Sequence, residues 1–495
     1  MGVVGATTEG TLTAPGPSRG SRAVTRLLEL LLAVVVASAA VVSGYNWVDG
    51  DKRLAVLPVV AVVAIAMGIL ALTRFSVFVL IILAVRPILD ALKLSGSTTG
   101  TTVGNTAANR GLDPSSIVGV LFLVAAILWL AGRVRSGRFI GGSRVQLAMG
   151  AFIVACVVSV AGSQHAQASA LECLRIGTVL MMFVVLNQLI TSRAMMTKVI
   201  GACYAGMCGP LLYTAYGFLL GHPESELKGG FTRITGPFSQ SNTFARYLAF
   251  LVVFGVAIYP YAKRWWKAAL GAILLVGTVF LLLTVTRTAI IGALVGIVLL
   301  AWTQRRKAVG LGLVVVMAGA LLVPGVAGRF AALSDDTPTT SSAGGATGNS
   351  LIWRLNYWTE VLPLANRNPV TGIGLNGTQY ETDVEKQPHN DVIRAYVETG
   401  AFGLLAYLSM LLALVGVGRR AMGRAARGTL EHAVGAGSMA VSVTFVLGSL
   451  AANVMSNVVT LFSVVAFAAC ASYVSRSQGA SITDHQRMLV GAPRS

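Results

Sequence analysis

The sequence predicts an all-α protein, a polytopic transmembrane helical bundle of about 12–14 spans with a large extracytoplasmic loop containing short helices. Three observations predict it. Of 495 residues, 55% are hydrophobic and 12% charged, where a soluble domain carries about 25% charged residues. Apolar runs of about 17 or more residues recur from end to end, each long enough to cross a hydrocarbon layer of roughly 30 Å. The formal charge of +19 sits mostly in short loops between spans, which marks topology determinants rather than a nucleic-acid surface. No nucleic-acid partner is expected.

In order along the chain, residues 1–22 are rich in Gly, Ser, Thr and Pro and read as a disordered cytoplasmic tail. The first span, about 24–42, follows Arg19, Arg22 and Arg26. Ala37-Ser38-Ala39 near its end also suits signal-peptide cleavage, but a second span follows closely and the later topology works with the first retained. Further spans fall at about 54–73, 75–91, 114–132, 145–162, 169–190, 197–220, 241–260, 265–284, 287–303, 306–325, 400–418, 432–452 and 457–475. Asp113-Pro114 is an N-cap followed by proline at the first helical position. The count is fourteen, or twelve if short or paired segments are re-entrant. The chain thus divides into a tail (1–22), transmembrane helices (23–328), a large outer loop (329–399), further transmembrane helices (400–475) and a cytoplasmic tail (476–495).

Alternate loops are basic: Arg133, Arg135, Arg138 and Arg144; Lys263, Arg264 and Lys267; Arg305, Arg306 and Lys307; Arg419, Arg420, Arg424 and Arg427. All fall on one side if the N-terminus is cytoplasmic. The outer face then carries loops at about 92–113, 221–240 and 329–399, and long loops are uncommon without a task. The stretch "SDDTPTTSSAGGATGNS" (334–350) has no apolar pattern and reads as a mobile linker or lid. Five cysteines (Cys156, Cys173, Cys203, Cys208, Cys470) lie in apolar stretches, in a number and spacing that suit neither zinc nor a disulfide framework. They read as small buried hydrophobes. No Walker-type phosphate loop is present, which argues against ATP hydrolysis by this chain.

Arginines occupy the outer side, where the charge rule disfavours them: Arg86, Arg175, Arg233, Arg246, Arg287, Arg354 and Arg394. A cation in a span costs at least about 2.5–3.5 kcal/mol on insertion scales, so each needs a reason. Arg86 has Asp90 one turn later and Arg175 has Glu172 three residues earlier, spacings that put each pair on one helix face. Arg354, in "SLIWRLNYWTEVLPLA", lies on an amphipathic loop helix, where headgroups or solvent would also suit it. Arg287 interrupts "FLLLTVTRTAIIGALVGIVLL" at a hairpin, with no acidic residue near it in sequence. Arg233, in "GGFTRITGPFSQSN", sits where Gly and Pro bend the chain before Asn242 opens the next span. Guanidinium makes paired hydrogen bonds to phosphate oxygens. Two or more arginines meeting at the outer leaflet would suit a lipid-borne diphosphate.

His389 opens "HNDVIRAYVETGAFGLLAYL", a short polar helix running into an apolar span, with Asn390, Asp391 and Arg394 beside it. An ordinary interface histidine fits that place, and so does a base. His165 and His222 are outer-loop residues with weaker claims; His432 and His485 fall on the inner side.

These segments together resemble the O-antigen ligase and polymerase superfamily of membrane glycosyltransferases. The pieces are "RITGPFSQSN", the "TRTA" after an apolar span, and an outer loop with "NPVTGIGLN" and then "PHNDVIRAYVETGAFGLLAYL". They lie within about 170–475 and are clearest over 233–410. The resemblance implies transfer of a glycan from an undecaprenyl-type (polyprenyl) diphosphate carrier to an acceptor hydroxyl outside the cytoplasmic membrane. It implies no metal, cofactor or nucleotide sugar, and an inverting displacement. Its partners would be the lipid-linked glycan donor, a glycan or lipid acceptor, and membrane lipids. Carried onto this chain, it makes His389 the loop histidine, Arg287 the arginine at the outer end of a span and Arg233 the upstream arginine. Arg354 joins them as a diphosphate ligand, and Asn242, Asn390, Asp391, Arg394 and Arg175 support the site, with Asn390 or Asp391 orienting the imidazole.

The chemistry such a transfer needs is available. Imidazole, with an ordinary pKa near 6.5, is a base at neutral pH, and general base catalysis contributes roughly 10²–10⁴-fold. Cations aimed at the leaving diphosphate supply the electrostatic part, usually the larger one. They also make a divalent metal dispensable, in keeping with outer acidic residues (Asp335, Asp336, Glu360, Glu381, Asp383, Glu385) that lack a calcium-loop pattern. A polymerase of repeat units or a protein O-glycosylating enzyme would use the same parts. A transporter or lipid-linked glycan flippase should show interrupted helices in two related halves, and the sequence contains no convincing internal repeat.

Overall fold

A computed structural model gives the fold. It describes residues 52–89, 114–228, 230–305 and 350–490, with isolated positions at 38, 312, 319, 327 and 328. The tail 1–22, the loop 92–113, the linker up to Asn349, Asp90 and Asp113 lie outside the described residues. So do the expected spans 24–42 and 306–325, but for those isolated positions.

Met1–Thr73 separates from Arg74–Ser495 as a unit of its own. Its described helix, α1 (Lys52–Thr73), is apolar after Lys52 and Arg53, contains Pro58, and ends with Thr73 Oγ1 donating to the Ile69 carbonyl at 2.8 Å.

In the second unit, α2 (Phe75–Leu89), α3 (Pro114–Arg135), α4 (Arg144–Ala161), α5 (Ala166–Leu189) and α6 (Arg193–Leu219) come first. A β-hairpin follows, β1 (Ser225–Lys228) and β2 (Phe231–Ile234), antiparallel with Glu226 opposite Arg233. Then come α7 (Ser241–Ile258), α8 (Arg264–Leu283), α9 (Arg287–Thr303), α10 (Ser350–Val361), α11 (Asp391–Arg424), α12 (Leu430–Ser449) and α13 (Val458–Val490). Nine helices among the described residues are long and apolar enough to cross a membrane, and Ala61–Thr73, Phe75–Leu89 and Arg287–Thr303 are shorter apolar helices. Only a helix satisfies all its backbone groups within one span, and the chain is accordingly a multi-pass membrane protein.

Hydrophobicity distributed all round a helix marks a buried or lipid-facing one, and both kinds occur here. α7, α12 and the Val458–Ser477 part of α13 form the interior and are mostly buried; α3 and α8 turn Val124, Leu128, Leu275 and Val279 outward. α11 packs on α12, α4 and α13, and α9 on α12 and α7. Gly418 and Gly435 set the α11–α12 distance, since a Cβ on either would stand 2.5 or 2.4 Å from backbone nitrogen of the other helix. Small residues of this kind let helix backbones approach closely in lipid. All five cysteines are free thiols, four of them buried.

Two features differ from the sequence reading. The outer loop at 221–240 was expected as a Gly/Pro bend and carries the β-hairpin; four-residue strands are too short to announce themselves by alternation. The short polar helix expected after His389 and the span expected from 400 form one run, Asp391–Arg424, broken at Gly400, whose φ is 70° and ψ −172°. A Cβ there would stand 2.1 Å from the Val370 carbonyl oxygen. The break lets Ala401 N–H donate to the Pro369 carbonyl at 2.9 Å, while the carbonyls of Val397 and Glu398 accept from Ile373 and Gly374. The segment "NPVTGIG" is thereby fastened to the outer part of α11. Over it lies a small apolar core of Tyr357, Val361, Leu364, Ala365, Ile373 and Val397. Over residues 350–399 this loop is a folded cap.

Candidate active site

Short turns make successive membrane helices antiparallel, so one end of the unit gathers the starts of α7, α9, α11 and α13 together with the hairpin and the cap. Side-chain hydrogen bonds link them. Thr286, the N-cap of α9, donates to Asn242 Oδ1 at 3.2 Å. The next residue on α7, Thr243, reaches Asn457 Oδ1 at 3.4 Å. Asn457 Nδ2 donates to the Asn453 carbonyl at 2.9 Å, and the Asn453 amide stands 3.4 Å from His389 Nδ1. A path of three asparagines and two threonines thus runs from the residue before Arg287 to the imidazole.

His389 itself is half-buried and has φ 54°, the left-handed region, which costs a non-glycine residue on the order of 1–3 kcal/mol unless its surroundings hold it. Its flanks are held. Trp358 Nε1 donates to the Pro388 carbonyl at 2.7 Å. Asn390 caps α11, its Oδ1 accepting from Val392 and Ile393 N–H at 2.9 and 3.2 Å. Trp353 meets the imidazole edge-on with ring centroids 5.8 Å apart, and the Lys386 ammonium lies 5.7 Å from the same indole. Burial pushes Lys386 below its ordinary pKa.

The arginines gather on the same end. Burial pushes the Arg233 guanidinium down to about 10; Glu226 across the hairpin holds it up and Arg287 presses it down. Arg354, on α10, is also pushed to about 10 by burial, again with Arg287 pressing it down. Both remain cations at neutral pH, and Arg287 lies within electrostatic reach of each. Arg246, one turn into α7, is buried within reach of Arg354 and Asp391, and its Nε has no hydrogen-bond partner. Glu226 also accepts from the Ser241 backbone N–H at 3.0 Å, which places a carboxylate at the start of α7.

Of the residues singled out from sequence, His389 and Asn242 lie on this path, which ends at Thr286, the residue before Arg287, and Arg233 and Arg354 lie within electrostatic reach of Arg287. Arg394 and Arg175 support the site from a distance. Arg394 is fully buried, bonded to Glu172 at 3.1 Å and Glu398 at 2.8 Å and to Ser456 Oγ, while Arg175 pairs with Glu172 at 2.6 Å. The expectation that Asp391 orients the imidazole is corrected. Its Oδ2 accepts from the backbone N–H of Val454 and Met455 at 2.9 and 3.1 Å, and its Oδ1 has no hydrogen-bond partner. Asn390 serves as the cap of α11. Of the weaker histidines, His165 stacks on Tyr380 at 4.7 Å.

Asn453 and Arg246 were not picked out as site residues. Arg246 was visible as a cation in a span, but Asn453 lies in a turn, "LAANVMSN", with no motif to mark it. Among the described residues, no group of three or more His, Cys, Asp or Glu side chains could hold a metal ion.

Residues 271–408 match the family model described as O-Antigen ligase. The matched segment contains Arg287, Arg354, His389, Asn390, Asp391 and Arg394; Arg233, Asn242, Arg246 and Asn453 lie outside it. No curated protein matches the chain.

Proposed function

We propose that the chain is a member of the O-antigen ligase and polymerase superfamily of membrane glycosyltransferases, as the match over residues 271–408 supports, and that it transfers a glycan from a polyprenyl-diphosphate carrier to an acceptor hydroxyl on the outer face of the cytoplasmic membrane. One observation carries the reading: the hydrogen-bond path that ties the Arg287 helix start to His389. It brings a base and a cation to the same end of the bundle, with further arginines beside them.

In the reaction, the acceptor oxygen attacks the anomeric carbon of the donor while His389 takes the hydroxyl proton. The carbon–oxygen bond to the diphosphate breaks on the opposite face, and the electron pair leaves with the polyprenyl diphosphate. The anomeric centre is inverted. Charge grows on the leaving phosphates, where Arg287, Arg233 and Arg354 hold them. The starts of α7, α9, α11 and α13 point their N–H dipoles toward the same end, which adds a field favouring anions. Basic loops at the opposite end of the helices set that end toward the cytoplasm and leave the site outside.

The test is transfer by purified protein given a lipid-diphosphate-linked glycan and candidate acceptors. Replacing the base should lower turnover by about 10²–10⁴-fold in His389→Ala. Full transfer by that variant would refute the base, and transbilayer movement of the donor without any new glycosidic bond would refute the enzyme. A single added glycan reports a ligase; a ladder of repeat units reports a polymerase.

A further inference from the structure

The tautomer of a catalytic imidazole is fixed by the hydrogen bond at its other ring nitrogen, and the structure holds a group at that place. Asn453 brings its carboxamide 3.4 Å from His389 Nδ1. The nitrogen end faces the ring, and the oxygen end, Oδ1, is buried without a hydrogen-bond partner. The two ends of a carboxamide have the same shape, so a half-turn about its terminal bond exchanges them at no steric cost. That half-turn sets Oδ1 against Nδ1, carries the amide nitrogen to the place the oxygen held, and requires a proton on Nδ1.

The turn carrying Asn453 is held from three sides. Asp391 Oδ2 binds the N–H groups of Val454 and Met455, Asn457 Nδ2 binds the Asn453 carbonyl, and Ser456 Oγ donates to Glu172 at 2.8 Å. A side chain on such a turn is fixed in place before substrate arrives.

We infer that Asn453 is a positioning residue that holds His389 as the Nδ1–H tautomer, leaving the Nε2 lone pair to receive the acceptor's proton. The inference rests on the reading of His389 as the base. When Nε2 takes the proton, the Nδ1–H···Oδ1 bond persists, so no partner has to rearrange during the transfer. A neutral amide also does for the ring what a carboxylate would not. It fixes the tautomer without an adjacent negative charge that would hold the imidazole protonated at neutral pH. Charged groups close in sequence to the ring, or to the Trp353 that meets it, include Arg354 on α10, Glu385 and Lys386 on the cap, and Asp391 at the start of α11. The turn 450–457 contributes none.

The experiment is nitrogen NMR of the full chain in lipid nanodiscs with ¹⁵N-labelled histidine, the His389 signals being assigned by their loss in His389→Gln. The wild-type protein should show a protonated Nδ1 and an unprotonated Nε2 above the ring's titration midpoint. Asn453→Ala should shift the ring toward Nε2–H. Asn453→Asp, nearly isosteric, should raise the midpoint by about 1–3 pH units and move the acid-side fall of kcat/KM upward by the same amount. An unchanged tautomer in Asn453→Ala, or an unmoved midpoint in Asn453→Asp, overturns the inference. If the tautomer responds as stated but His389→Ala keeps full transfer, the positioning contact stands and the base assignment falls.

Discussion

Arg394→Met tests whether the cap is held to the membrane helices by the buried charge cluster beneath it. Arg394 and Glu398 are fully buried, Glu172 nearly so, and the guanidinium bonds to carboxylates on α5 and on its own helix. Glu398 in turn accepts from the Asn376 backbone N–H at 2.7 Å and from Thr378 Oγ1 at 2.5 Å, both in the cap. Ser456, in the turn that carries Asn453, bonds to both Arg394 and Glu172. Four parts of the site therefore meet at one cation.

Removing that cation leaves two buried carboxylates, with only the half-exposed Arg175 still paired to one of them. Breaking a buried ion pair by deleting one partner costs roughly 3–5 kcal/mol. At about 2 °C per kcal/mol, the lower end of the scale for large domains, the unfolding midpoint should fall roughly 6–10 °C. The informative comparison adds Glu172→Gln and Glu398→Gln to Arg394→Met. A neutral polar cluster carries no stranded charge, so the triple variant should regain most of the lost stability. The assay is thermal unfolding in nanodiscs, with transfer measured well below all midpoints. A single variant that melts with the wild type, or a triple variant no more stable than the single, would refute the argument.

Three other outcomes follow from the same geometry. Arg354 and Arg233 have pKa values depressed to about 10 by burial, so above pH 10 the folded chain binds fewer protons than the unfolded one, which keeps both guanidinium groups charged. Their contribution to stability should therefore rise with pH above 10, and Arg354→Gln should reduce that rise, as followed by unfolding midpoints. The same variant should melt higher than the wild type at neutral pH without donor, yet transfer about 10²–10³-fold more slowly; a lower midpoint contradicts the reading. Gly400→Ala adds a left-handed φ costing about 1–2 kcal/mol to a Cβ contact of 2.1 Å and should not fold stably. Gly150→Ala in the interior of α4, where a Cβ meets nothing within 4 Å, should gain about 0.5–1 kcal/mol in the same unfolding assay.

The helices were legible because a membrane span announces itself by length and apolarity alone. Each expected span within the described residues corresponds to a helix, with ends displaced by a few residues except at α11 and at α13, which runs on to Val490 where a tail was expected from 476. At α11 the short polar helix expected after His389 is present, but the break at Gly400 that joins it end to end with the span was not foreseen, because sequence periodicity does not reveal such a break. The Arg175–Glu172 pair was legible from its three-residue spacing. Of Arg394's partners, Glu398 stands one turn on at a legible spacing, but Glu172 and Ser456 lie 222 and 62 residues away, and only the fold brings them together. Asn453 was hidden for the same reason. Its role depends on a contact with His389 across 64 residues of chain, and asparagine in a turn has many ordinary uses.

The two charge clusters at this end of the bundle differ in a way that bears on what each is for. Beneath the cap, Arg394 and Arg175 pair directly with Glu172 and Glu398, and Asp391 also lies within electrostatic reach of Arg394. Around the candidate site, cation faces cation: Arg287 lies within electrostatic reach of Arg233 and Arg354, and Arg354 within reach of Arg246, with Glu226 beside Arg233 and Asp391 beside Arg246. A diphosphate diester carries two negative charges. Like charges in a low-dielectric setting repel, and such an anion would relieve that repulsion. Inorganic pyrophosphate should therefore raise the unfolding midpoint of the wild type, and should do so less in Arg287→Gln and in Arg246→Gln. Equal stabilisation of Arg394→Met and the wild type would separate the two clusters, whereas equal stabilisation of all four proteins would place the anion elsewhere and remove the electrostatic basis for the clamp.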